Sequence, residues 1–103
     1  MSKIYVSGRI SGLPLDTARR TFAQAQDTLE RQGWEVINPL NNGLPADAPW
    51  EVHLAEDIIN LFACKAIYML DGWECSQGAI IEHALARRIN MRVIYQNEVE
   101  RND

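Results

Sequence analysis

The chain has 103 residues, 47% of them apolar, enough for one globular domain spanning residues 1–103 with a modest core and too few for two. Fourteen acidic against ten basic side chains leave a net charge of -4, which excludes a broad nucleic-acid-binding face. No apolar run is long enough to span a bilayer, and the start "MSKIYVSG" lacks the basic and apolar regions of a signal peptide, so the expectation is a cytoplasmic protein without a membrane partner.

"KIYVSG" (3 to 8) is apolar, β-rich and ends on glycine, as a buried parallel strand does. A helix is predicted from about Leu15 to Gln32, because Ala18, Phe22, Ala25 and Leu29 fall on one stripe and Gly33 suits the position after a helix end. "WEVINP" (34 to 39) reads as a second strand stopped by Pro39. "NPLNNGLPADAP" (38 to 49) is a loop of the size that borders active sites. Pro49 then opens a second helix to about Ala63, with Trp50, Leu54, Ile58 and Leu61 expected inward. "AIYML" (66 to 70) is a third strand, a third helix follows Ser76, and "RVIY" (92 to 95) is a fourth strand.

Strands alternating with helices imply right-handed crossovers and a parallel sheet covered on both faces. The predicted class is therefore a three-layer α/β, flavodoxin-like (Rossmann-like) domain with strand order 2-1-3-4. Ligands in such sheets bind beyond the carboxyl ends of the strands where the order reverses, here between strands 1 and 3. The loops at 7 to 14 and 71 to 77 border that point.

Two carboxylates break the helical patterns. At 100° per residue, Ile81, Leu85 and Ile89 define the expected inward stripe of the third helix, and Glu82 lies only about 20° from Ile89. His83, Arg87 and Arg88 point outward on the same wheel. Asp57 on the second helix lies about 40° from Leu61 and about 60° from Leu54, again among apolar residues. Local pairing at the edge of a stripe explains one such acid, since an unpaired buried charge costs several kcal/mol. Two of them, on helices flanking the same strand, suit glycosyl chemistry, in which one carboxylate is ionised as a nucleophile and one is protonated as an acid.

"SGRISG" (7 to 12) joins the first strand to the first helix. Its glycines let backbone N–H groups approach a ligand, and Arg9 could fork onto phosphate oxygens. The loop matches neither a P-loop nor GxGxxG, which disfavours ATP and dinucleotides. Ser76 is the expected N-cap of the third helix, and at the crevice it would also turn its hydroxyl and the N–H groups of Gln77 and Gly78 towards a ligand. Trp73 follows Gly72 at the crevice and is the candidate for stacking on a base, whereas Trp50 reads as core. His53, a lone histidine, reads as a surface or core-edge residue. Cys64 and Cys75 form no CxxC and have no histidine cluster beside them, so reduced thiols are expected, with no metal and no cofactor.

Tyr5-Val6-Ser7-Gly8, Asp57 ahead of "LFACKAIYML", and Ser76-x-Gly78-x-x-x-Glu82 together resemble the nucleoside 2-deoxyribosyltransferase-like superfamily. They are similar in motif to the 2′-deoxynucleoside 5′-phosphate N-hydrolases and to a small bacterial and phage group within that superfamily. The resemblance covers nearly the whole chain and implies N-glycosidic bond cleavage on a flavodoxin-like fold. It implies Glu82 as nucleophile at C1′, Asp57 as the acid assisting the departing base, and Tyr5 as the residue holding the nucleophile. Gly8, Arg9, Ile10, Ser11 and Gly12, with Ser76 and Gly78, correspond to the sugar and 5′-phosphate site.

Ser76 stands where transferases acting on free nucleosides commonly carry an acid. A serine there can donate to a phosphate that an acid would repel, which tilts the substrate towards a nucleotide. Ser11, in contrast, stands where the hydrolases carry a second basic residue. The resemblance also implies a homo-oligomer, dimer or tetramer. Two other readings stand beside hydrolysis: a nucleotide-binding regulatory module without turnover, for which the short "QNEVERND" after the fourth strand speaks, and transfer between bases.

Overall fold

The computed structural model describes residues 2–101. Its elements are β1 (Lys3–Ser7), α1 (Leu15–Arg31), β2 (Glu35–Ile37), α2 (Trp50–Phe62), β3 (Ala66–Met69), α3 (Gln77–Arg88), β4 (Arg92–Tyr95) and α4 (Gln96–Arg101). The four strands form one sheet in the order β2-β1-β3-β4, and every pair is parallel. This is the three-layer, flavodoxin-like arrangement expected from the alternation of elements. No helix among the described residues is long and apolar enough to cross a membrane.

Alternation along β1 decides what each face of the sheet receives. Ile4 and Val6 pack with Phe22, Ala25 and Leu29 of α1 on one side. Tyr5 points the other way, into the cluster that holds Leu61 of α2 and Ala79 and Ala86 of α3. Ser7, two residues on, shares the face of Tyr5 and is likewise fully buried. Two polar residues of the central strand are thereby presented to α2 and α3.

The helix ends follow local chemistry. α1 begins after Pro14 and ends at Arg31 with Gln32 as its C-cap, and Gly33 at φ 95° turns the chain into β2. Ser76 caps α3, its Oγ accepting from Ala79 N at 3.2 Å. Pro49 stands at the N-cap of α2, one position before the expected first turn. β2 is shorter than predicted, because Pro39 starts a 3-10 turn at Pro39–Asn41 instead of merely ending the strand. The residue that caps this turn is fastened to α1, Asn38 donating to Gln26 Oε1 at 3.1 Å. α4 has no counterpart among the predicted elements; Asp71 N donates to its Gln96 side chain at 2.9 Å.

Three pattern readings are corrected. The buried line of α3 is Ala79, Glu82 and Ala86, with Ile81 and Leu85 half-buried at its flanks and Ile89 half-exposed beyond the helix end. Small alanines let the helix sit close to the sheet, and bulkier residues are displaced sideways. His83 does not face solvent: it is half-buried and its Nε2 lies 2.7 Å from the Tyr95 hydroxyl. Trp50 is 42% exposed at the first turn of α2, so it is not core.

Candidate active site

Glu82 is 5% exposed and sits where Tyr5 and Ser7 of β1 can reach it. Tyr5 Oη donates to Glu82 Oε2 at 2.8 Å, and Ser7 Oγ donates to Glu82 Oε1 at 2.7 Å. Ala79 and Ala86, one turn to either side, make this reach possible by bringing α3 against the strand. Each such bond to a charged group contributes about 1.5–3 kcal/mol, which offsets part of the several kcal/mol that burial costs. Burial still prevails, and the Glu82 carboxyl is pushed up to about 7, opposed by the Ser7 and Tyr5 hydroxyls and assisted by the charge of Asp57. The Tyr5 hydroxyl is itself held well above its ordinary value, chiefly by burial and then by Glu82 and Asp57, so it remains a neutral donor.

Asp57 is the second buried acid, 9% exposed on the inner side of α2. Its Oδ1 accepts from Asn42 Nδ2 at 3.1 Å. Burial raises its carboxyl to about 6, against the lowering effect of the Asn42 bond. Among the described residues neither acid forms an ion pair with lysine or arginine. Each is satisfied by neutral donors, an arrangement that leaves both free to change protonation.

Both carboxyls line one cavity of about 520 Å³, within the range typical of small-molecule sites. It opens beyond the carboxyl end of β1, the strand that borders the point where the order reverses. It is lined by Tyr5, Asp57 and Glu82, by Leu40, Asn42 and Leu44 of the 39–48 loop, and by Ser76 and Gly78. Residues 2–95, which include every residue bordering this cavity, match the family model described as "Domain of unknown function (DUF4406)".

The chain belongs to the DUF4406 family. No curated protein matches it.

Of the loop residues singled out in this DUF4406 domain, Gly8, Ile10 and Ser11 border the cavity, as do Ser76 and Gly78. Gly8 is required by packing, since a Cβ there would lie 2.6 Å from Leu70 Cδ1. Arg9 and Gly12 stand outside. Arg9 Nε donates to Ser11 O at 3.3 Å, and its guanidinium lies over Gly12, where a Cβ would come within 2.8 Å of Nη2. Gly12 adopts φ 84°, the turn that brings the loop back under the arginine. The cation that does border the cavity is Arg19, on α1.

Trp73 also lies outside. Its ring is 4.2 Å from that of His83 and 6.4 Å from that of Tyr95, and it borders a separate depression with Asp71 and Glu98. The 3-10 turn at Trp73–Cys75 turns it towards β4 and away from the crevice. Trp50, read as core, borders the cavity in its place, and Gly78 has only ordinary contact distances to Trp50 and Leu54, 4.0 and 3.9 Å from a Cβ built there.

Ser7, Arg19, Asn42 and His53 are the site residues that the sequence reading missed or set aside. Period-two alternation from Tyr5 already puts Ser7 on the same face. Nothing in the local pattern of "NPLNNGLP" distinguishes Asn42 from its neighbours. Among the described residues, no group of three or more His, Cys, Asp or Glu is arranged to hold a metal ion.

Proposed function

We propose that this protein is an N-glycosidase that cleaves a (deoxy)ribonucleoside 5′-monophosphate into free base and sugar phosphate. The observation that carries the reading is Glu82: a buried carboxylate, held through both oxygens by Tyr5 and Ser7, facing the same cavity as a second buried acid, Asp57.

In this reading a Glu82 oxygen attacks C1′ as the C1′–N bond breaks, and the bonding electrons leave with the base, which takes a proton from Asp57. The resulting glycosyl ester is opened by water. The Asp57 carboxylate takes one water proton, the oxygen becomes the C1′ hydroxyl, and Glu82 is regenerated. Between about 6 and about 7 the two carboxyls hold a single proton between them. Burial favours that proton on Glu82 in the free protein. Positive charge developing at C1′ favours ionised Glu82 and so moves the proton's preferred place to Asp57, where the base can accept it.

Support for a phosphate comes from Ser11, Ser76 and Arg19, and from the N–H groups of Gln77 and Gly78 in the first turn of α3, which have no acceptor within the helix. Leu40, Leu44, Trp50 and Leu54 supply apolar walls for a base. The test is chromatography of reactions with a panel of nucleoside 5′-monophosphates and the matching nucleosides. Hydrolysis of nucleotides over nucleosides is the expected outcome. A base exchanged only when a second base is added would make it a transferase. Thermal stabilisation by a nucleotide without product would make it a binding module.

A homo-oligomer, dimer or tetramer, belongs to the same proposal. Val52, Ile59 and Phe62 are exposed along the side of α2 opposite Asp57, and a second copy of the chain would cover them.

A further inference from the structure

Asn42 joins three structural parts through one side chain. Its Oδ1 accepts from the backbone N–H of Leu44 at 3.1 Å, and because a backbone N–H can only donate, this bond fixes which way the amide points. Nδ2 is then the atom that lies 3.1 Å from Asp57 Oδ1 and 3.0 Å from His53 Nδ1, so each of its two hydrogens has a partner. His53 Nδ1 must be the unprotonated acceptor. Its Nε2 therefore carries the ring hydrogen and donates to Pro45 O at 3.0 Å. One neutral tautomer satisfies every contact, and it pins the 42–45 loop to α2 at the wall of the cavity.

The consequence falls on Asp57. Oδ1 is occupied as an acceptor of an N–H, so a proton on this carboxyl belongs on Oδ2, the oxygen left for the cavity. We propose that Asn42, braced by His53, is the positioning residue that fixes the Asp57 carboxyl so that Oδ2 delivers the proton to the departing base; this rests on the glycosidase reading. Asn42 acts through Asp57 and is assigned no contact with the reacting atoms. The titratable groups acting on Asp57 and its neighbours are His53 and Glu56 of α2, Glu82 of α3 and Tyr5 of β1.

Asn42→Ser is the informative variant, because a serine hydroxyl can still accept from the Leu44 N–H and keep the turn while the amide donor to Asp57 is lost. Expected is a kcat lowered about tenfold or more, up to the 10²–10⁴ that a positioned acid contributes, with the acid limb of the rate profile, which the lower Asp57 value sets, moved to higher pH. His53→Ala should lower kcat in the same direction, and His53→Asn, which restores an acceptor near Nδ1, should recover part of it. An unchanged kcat and an unmoved limb in Asn42→Ser would overturn the assignment.

Two measurements stand apart from turnover. ¹⁵N spectra should show His53 as the Nε2–H tautomer, and ¹³C titration of the Asp57 carboxyl should move upward in Asn42→Ser. If the wild type releases no base, the glycosidase reading fails by itself. An Asp57 titration identical in wild type and variant, or an Nδ1–H tautomer at His53, would show that Asn42 does not hold Asp57.

Discussion

Replacing Glu82 with glutamine should make the protein more stable at alkaline pH. In the fold the Glu82 carboxyl rises from 4.5 to about 7 because it is buried, which corresponds to about 3 kcal/mol of preference for the protonated form. The folded state therefore binds more protons than the unfolded state between these values. Stability from this group is fully present below pH 4.5 and is lost as pH rises through about 7. Glutamine is neutral throughout and nearly the same shape, and the Ser7 or Tyr5 hydroxyl can turn to accept from its amide. Exchanging charged for neutral hydrogen bonds costs about 1 kcal/mol, so the expected gain at pH 8 is about 1–3 kcal/mol, or roughly 4–8 °C in Tm per kcal/mol for a domain near this size. Urea and thermal unfolding of both proteins between pH 4.5 and pH 8 measures this. A Glu82→Gln variant with no gain at pH 8, or with a difference from wild type that does not change with pH, would refute the claim that the fold holds this carboxyl against its own stability.

Other outcomes follow from the same geometry. Turnover should show a bell-shaped pH profile with limbs near about 6 and about 7, since below both values Glu82 and Asp57 each carry a proton and no nucleophile remains, and above both no acid remains. A profile that rises steadily to pH 9 would contradict this. Gly78→Ala should fold as well as wild type or gain up to about 1 kcal/mol from helix propensity, while its methyl group, directed towards Trp50 and Leu54, raises KM; unchanged KM would remove Gly78 from the site. Ser7→Ala takes one donor from Glu82 and should move the alkaline limb, which the higher Glu82 value sets, to still higher pH by removing stabilisation of the ionised form. Ile59→Asp, on the exposed side of α2, should reduce the mass in light scattering to that of one chain, and an unchanged mass would exclude that surface as the contact between copies.

The sequence made the sheet order legible because each strand was followed by an amphipathic helix and a clear stop, such as Gly33 or Pro39. It also exposed Glu82 and Asp57, since a charge in an apolar stripe is a contradiction that helical phase can detect. The wheel nevertheless took Ile81, Leu85 and Ile89 as the inward line of α3, because hydrophobicity outweighs size in such a pattern. In the fold, closeness to the sheet selects Ala79 and Ala86 instead. Arg9 and Trp73 adjoin the crevice in sequence. A turn with φ 84° at Gly12 and the 3-10 turn at Trp73–Cys75 carry their side chains elsewhere. Asn42 meets Asp57 only through the tertiary path of a loop, which no period records, whereas His53 stands one turn before Asp57 on α2, a spacing that helical period does record.

The most direct measurement of the central claim is release of free base from a nucleoside 5′-monophosphate by wild type and by Glu82→Gln at about pH 6.5, between the two carboxyl values. Base and sugar phosphate should appear with wild type, and Glu82→Gln, folded and at least as stable near neutral pH, should release base at no more than the uncatalysed rate. No base from any nucleotide with wild type, or equal release by the two proteins, would contradict the account.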